Sequence, residues 1–256
     1  MAKNLILCTQ RDHIEFITLN QPETGNRIDL PLAQELAEVC ARVNGDEDVY
    51  MVVFTGAGDS FCSGSDIEKL VLSGDNEELL SQYSPAEAIA AIDRPTLAAI
   101  NGEAIGEGLE LALACDMRIA SDNARFGLPQ ITTGTIPMDG GTQRLSRVVG
   151  KGMALELVLT GEIVDALKAL EIGLVNKVVS RDSFMYEVEI MAKTLAGKAP
   201  MAMRYAKEAV NKGLDLTLEQ GLRLEADLYF LLHTTADRTE GIRSFLDKRK
   251  PEYQGK

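Results

Sequence analysis

Apolar positions change their period along this chain, and the period predicts the element. Residues 4–19 read as two short strands around Arg11-Asp12, with Ile14, Phe16 and Thr18 alternating in the second. Apolar residues at 32, 36, 39, 40 and 43 fall at helical spacing. Residues 49–54 form an unbroken, β-branched apolar run, the pattern of a buried strand. Residues 67–93 read as irregular helix with a polar break at 73–76, and Asp93-Arg94-Pro95 punctuates before a strand at 96–100. A helix beginning near Leu109 and a strand at 117–120 follow. Beyond Lys151 the pattern predicts helices at 153–159, 165–171, 184–195, 200–212, 218–232 and 240–249, with one short strand at 174–179. Strands and helices alternating early, then helices alone, predict an α/β core over residues 1–197 and a helical C-terminal part over 198–256.

Composition bounds the function. The chain has 256 residues, 45% hydrophobic and 25% charged, as in ordinary soluble proteins. Its apolar runs are far shorter than the ~20 residues of a membrane span, and Met1-Ala-Lys-Asn4 does not open a signal peptide. Cysteines 8, 40, 62 and 115 form no Cys-x-x-Cys pair; free thiols in a reducing compartment, the cytoplasm, are expected. His13 and His233 are the two histidines, so a His-based metal site or a Ser-His-Asp triad is poorly supplied and no metal is expected. His13 falls in the first hairpin turn and is expected at the surface. The net charge of −13 argues against nucleic acid and anionic membrane as partners, and an anionic ligand must be drawn by local cations or helix ends.

The densest chemistry lies in Asn101-Gly-Glu-Ala-Ile-Gly-Glu-Gly-Leu-Glu110. A strand runs into a turn with glycines at 102, 106 and 108, and the turn opens onto an apolar helix. The first amides of a helix lack intrahelical acceptors and sit at the positive end of its dipole, so such a turn can hold a developing oxyanion. Glu110 lies about one turn inside that helix, placed to act as a base on whatever the amides hold. Taken alone, a carboxylate in a first helical turn is also a common stabilising device.

With Phe61-Cys-Ser-Gly-Ser-Asp-Ile67, Phe126-Gly-Leu-Pro-Gln130 and Gly140-Gly-Thr-Gln-Arg-Leu145, this stretch resembles the crotonase superfamily of enoyl-CoA hydratases and isomerases. The resemblance implies a superhelix of ββα turns around stacked sheets, with a helical end that covers the site and builds a trimer or a dimer of trimers. It implies an acyl-CoA thioester substrate, with coenzyme A as part of that substrate and no separate cofactor. The amides of Ser65 and Glu107 are the implied oxyanion donors, and Glu110 the residue that handles water or a proton. Relatives usually have glycine where Glu107 stands; its carboxylate is either a solvated charge at the helix start or a group that shapes the acyl pocket. Gln130 stands where relatives usually carry a second glutamate, and an amide cannot trade a proton at neutral pH. Asp139 is a candidate replacement acid, or else a loop aspartate bonding local amides. Coenzyme A is expected on Asn26, Arg27 and the turn Ser63, Gly64, Ser65, Asp66 and Ile67, with Phe245 and Lys248 reaching it from the helical end. Without the resemblance, Phe245 reads as core, Lys248 as a solvated charge, and the stripe Leu218, Leu222, Tyr229, Leu232 as core or subunit contact. Hydration or dehydration of an enoyl-CoA is the leading expectation; hydrolysis of a thioester or of a β-keto C–C bond, and a silent CoA-binding protein, are the alternatives.

Overall fold

The computed structural model describes residues 4–65 and 84–256. Along the chain come β1 (Ile6–Arg11), β2 (Ile14–Leu19), α1 (Leu30–Gly45), β3 (Met51–Gly56), β4 (Ser60–Cys62), α2 (Pro85–Ala90), β5 (Thr96–Ile100), β6 (Glu103–Ile105) and α3 (Glu107–Ala114). They are followed by β7 (Met117–Ser121), β8 (Arg125–Gly127), α4 (Gly141–Val149), α5 (Lys151–Thr160), β9 (Val164–Asp165), α6 (Ala166–Glu171) and β10 (Lys177–Val179). Helices α7 (Phe184–Ala196), α8 (Pro200–Gly213), α9 (Leu218–Leu232) and α10 (Ala236–Leu246) complete the described elements.

The strands form a six-stranded sheet, ordered β1-β2-β3-β5-β7-β10, and a four-stranded sheet, ordered β4-β6-β8-β9. Among the described residues, the β1–β2 and β8–β9 pairs are antiparallel and the other strand pairs parallel. Alternate side chains of a strand point to opposite faces, and here they enter different cores. Val52, Phe54, Ala98 and Ile100 pack with α1 and α3. Met51, Val53, Leu97 and Ala99 pack under Phe184, Val188 and Ala192 of α7. Burial on both faces is why these strands read as unbroken apolar runs.

Several boundaries differ from the sequence reading for local reasons. Helix α3 starts at Glu107, two residues before the expected Leu109. Strand β10 is shorter than 174–179 because the amides of Leu174 and Val175 both turn back to the Ala169 carbonyl. Asp165 caps α6 through a 2.8 Å bond from the Lys168 amide rather than lying inside the helix. The last helix begins at 236, where Thr235 caps it, and ends before Lys248, whose φ of 52° is left-handed. The expected irregular helix over 67–93 lies outside the described residues up to position 83, and its end is the short helix α2. His13 is exposed in the β1–β2 turn, stacked on Tyr50 at 4.3 Å. Among the described residues, no helix is long and apolar enough to cross a membrane.

After α10 the chain folds back on itself. The buried Asp237 carboxylate accepts from the amides of Gln254 (2.7 Å) and Gly255 (2.9 Å), and its own amide donates to the Lys256 carbonyl at 3.1 Å.

Candidate active site

Two asparagines fix the ground on which the site stands. Asn101, at the end of β5, donates from Nδ2 to the carbonyls of Gly56 and Gly58, each at 2.9 Å. Asn26 is fully buried, donates to Ala57 (2.9 Å) and Ser60 (2.8 Å), and accepts from the Gln21 amide at 2.9 Å. The side-chain amide of Asn26, expected to meet coenzyme A, is engaged in holding the β3–β4 turn.

The glycines of the 102–108 turn divide the work. A Cβ at Gly102 would fall 1.8 Å from the Asp59 carbonyl oxygen, and one at Gly108 would fall 2.0 Å from that of Cys62. These two exist because β4 packs directly on the turn and helix, not to admit a ligand. Gly106 takes the left-handed angle, φ 57°. Glu107 can then begin α3 without a positive φ, so its side chain imposes no backbone strain. Opposite lies Gly64, whose Cα is 3.8 Å from the Cβ that Gly106 lacks. The Gly64 carbonyl accepts from the Ile28 amide at 3.0 Å, and Ser65 bridges to Ile28. The turns carrying Ser65 and Glu107 thus abut.

The Glu107 carboxylate is buried, which removes the reading of it as a solvated charge. It lies near Cys62, whose thiol is pushed up to about 12, chiefly by burial and also by that charge.

Glu110 is fully buried on α3. Its Oε1 accepts from the amides of Asp139 (2.7 Å) and Gly141 (2.8 Å). A side chain at Gly141 would collide with this contact, its Cβ 3.0 Å from Oε1. Burial pushes the Glu110 carboxyl up from 4.5 to about 7; the two amides oppose the rise, the Asp139 charge adds to it and the Arg144 charge lowers it. Oε2 faces Gln130, in the 3-10 helix Pro129–Thr133, whose Nε2 donates across 3.5 Å. Gln130 Oε1 is buried with no hydrogen-bond partner among the described residues.

Asp139 touches this cluster through its backbone. Its carboxylate turns away, accepting from Ser84 Oγ at 2.6 Å and from the Ala86 amide at 2.5 Å, at the start of α2. This carboxylate anchors the start of α2; burial raises its pKa, and the Ser84 and Ala86 donors oppose the rise. Arg144 braces the same loop, donating to the Asp139 carbonyl (2.8 Å) and to Glu87 (2.9 Å).

Other expected residues divide. Arg27 is exposed beside the Ile28–Ser65 bridge, and Ser63 is pinned to Gly25 through its amide (2.9 Å) and hydroxyl (3.2 Å). Asp66 and Ile67 lie outside the described residues. Phe245 is 83% exposed, so it is not the core residue that helical patterning suggests, and Lys248 is exposed just past α10. Neither joins the hydrogen-bonded cluster around Glu110. Sequence reasoning missed Ser84 and Arg144 as supports; Arg144 lay inside a quoted motif, whereas Ser84 carried no signal. Among the described residues, no group of three His, Cys, Asp or Glu side chains is placed to hold a metal.

A carboxyl pushed up to about 7 by burial, beside abutting turns at a helix start, is the kind of group that acid–base catalysis uses. The chain belongs to the enoyl-CoA hydratase/isomerase family, whose model matches residues 9–256. It is 36% identical to a crotonyl-CoA hydratase of Syntrophomonas wolfei, over 100% of both chains. It is 35% identical to a short-chain-enoyl-CoA hydratase of Clostridium acetobutylicum, over 98% of each. The crystal structure of an enoyl-CoA hydratase from Bacillus anthracis matches at a TM-score of 0.93 and 37% identity, covering 99% of this chain and 100% of that one. The crotonase-type architecture implied by the motifs is the one observed.

Proposed function

We propose that this enzyme adds water to, or removes it from, the double bond of an enoyl-CoA thioester. The observation that carries the reading is Glu110, wholly buried, anchored through Oε1 and holding a proton-exchanging carboxyl near pH 7. The hydratases among its full-length relatives support it. In this reading the thioester carbonyl lies between the amides of Ser65 and Glu107, which stabilise the enolate as water attacks Cβ. Glu110 takes the proton from that water. Coenzyme A lies along Arg27 and the turn from Ser63, and no separate cofactor takes part. The exposed apolar side chains of α9 suit assembly into a trimer or a dimer of trimers. Three buried free thiols suit the cytoplasm.

Hydrolysis is the second reading, and Gln130 is what favours it: attack of water on a carbonyl needs no carboxylic acid there. Crotonyl-CoA separates the two. Loss of the conjugated thioester absorbance with a mass gain of one water, reduced at least ~100-fold in Glu110→Gln, is the expected result. Free thiol without a hydrated product would sink the hydratase reading.

A further inference from the structure

Among the described residues, the group that donates a hydrogen bond to Glu110 Oε2 is the Gln130 amide. Asp139 is committed to Ser84 and Ala86, and Arg144 to the Asp139 carbonyl and Glu87. Cys62, on the neighbouring strand β4, is kept a neutral thiol by burial. Glu103 on β6 is exposed, and Glu107 stands three residues before Glu110 on α3, with its carboxylate oxygens buried. The group that meets Glu110 Oε2 is an amide. A carboxylate only accepts, so the amide presents Nε2 to it and leaves Oε1 as an acceptor for another donor. That oxygen is buried and lacks a donor among the described residues. A water placed between Glu110 Oε2 and this oxygen would give one hydrogen to each.

We propose that Gln130 is a positioning residue that orients the reacting water, and that Glu110 Oε2 is the single proton carrier for both halves of the reaction. The proposal rests on the hydration reading. The water O–H bond breaks as its oxygen bonds to Cβ, and the proton passes to Oε2 while the Cα–Cβ π pair moves onto the thioester as an enolate. The same proton then passes from Oε2 to Cα, the enolate pair forms the C–H bond, and the carboxylate is restored. Atoms and charge balance with water alone.

The pH dependence of kcat/KM on an enoyl-CoA, run in hydration and in dehydration, tests this. One carrier predicts a single acid limb in both directions, rising through about pH 7 to a plateau. Two carriers give a bell. Gln130→Met removes the amide that faces Oε2, so kcat is expected to fall about tenfold or more with KM little changed. Gln130→Glu inserts a second titrating group and is expected to turn the limb into a bell. A bell in the wild type overturns the single carrier. An unchanged kcat in Gln130→Met, or a profile unchanged in Gln130→Glu, overturns the positioning role. Absence of hydration by the wild type over a panel of enoyl-CoAs overturns the underlying reading and this proposal with it, whereas hydration with a bell overturns the proposal alone.

Discussion

A buried acid is a liability to the fold, and at Glu110 the sign is definite. The native carboxyl titrates near 7 and the ordinary one at 4.5, so between those values the folded chain binds more protons than the unfolded chain. Stability contributed by this residue is therefore greatest at acid pH and declines as pH rises through that window. At ~1.4 kcal/mol per unit the loss is on the order of 3 kcal/mol at most. Glu110→Gln is expected to melt higher than the wild type at pH 8, with the gap closing towards pH 4.5; equal melting curves at pH 8 would contradict the burial argument. Asp139→Asn removes a charge that raises the Glu110 pKa, so its activity limb is expected to move to lower pH. Its unfolding free energy should fall by the worth of a helix anchor, ~1 kcal/mol, read in a denaturant titration. Glu110 was legible in the sequence because a strand, a glycine turn and a helix in succession place it without tertiary information. The partners of Asn26 and Asp139 were not legible, because which groups a short polar side chain reaches depends on segments far away in the chain.

Among elements, the long strands and helices were legible because a core on one face, or on both, imposes a period over five residues or more. The second sheet was not. Strands β4, β6, β8 and β9 have two or three residues each, too few for a period to emerge, yet they set the turn beneath α3. Gly108 measures that dependence. Helix propensity alone favours alanine over glycine by ~1 kcal/mol. The Cys62 carbonyl, 2.0 Å from the missing Cβ, reverses the sign. Gly108→Ala is expected to destabilise the protein in a denaturant titration and to abolish turnover, because β4 must shift away from the Ser65 turn. A neutral or stabilised variant would mean that β4 moves freely.

For the whole molecule, the telling surface is α9. Leu218 is 80% exposed, Leu222 56%, Tyr229 59% and Phe230 67%, while Leu228 is buried. An amphipathic pattern announces a covered face but not by what it is covered, so the sequence left core and subunit contact open. In this chain the face is not core. Sedimentation is expected to give a mass above the 27.8 kDa of one chain, and Leu222→Glu to reduce it. A monomeric wild type would count against assembly through α9.

The loop-back at Asp237 gives the C-terminal tail a property that ragged ends lack. Residues 254 and 255 belong to no helix or strand, yet their amides are held by a carboxylate that solvent scarcely reaches. In deuterated buffer these hydrogens should exchange only when α10 opens, so two residues at the very end of the chain become reporters for the helix that carries Phe245.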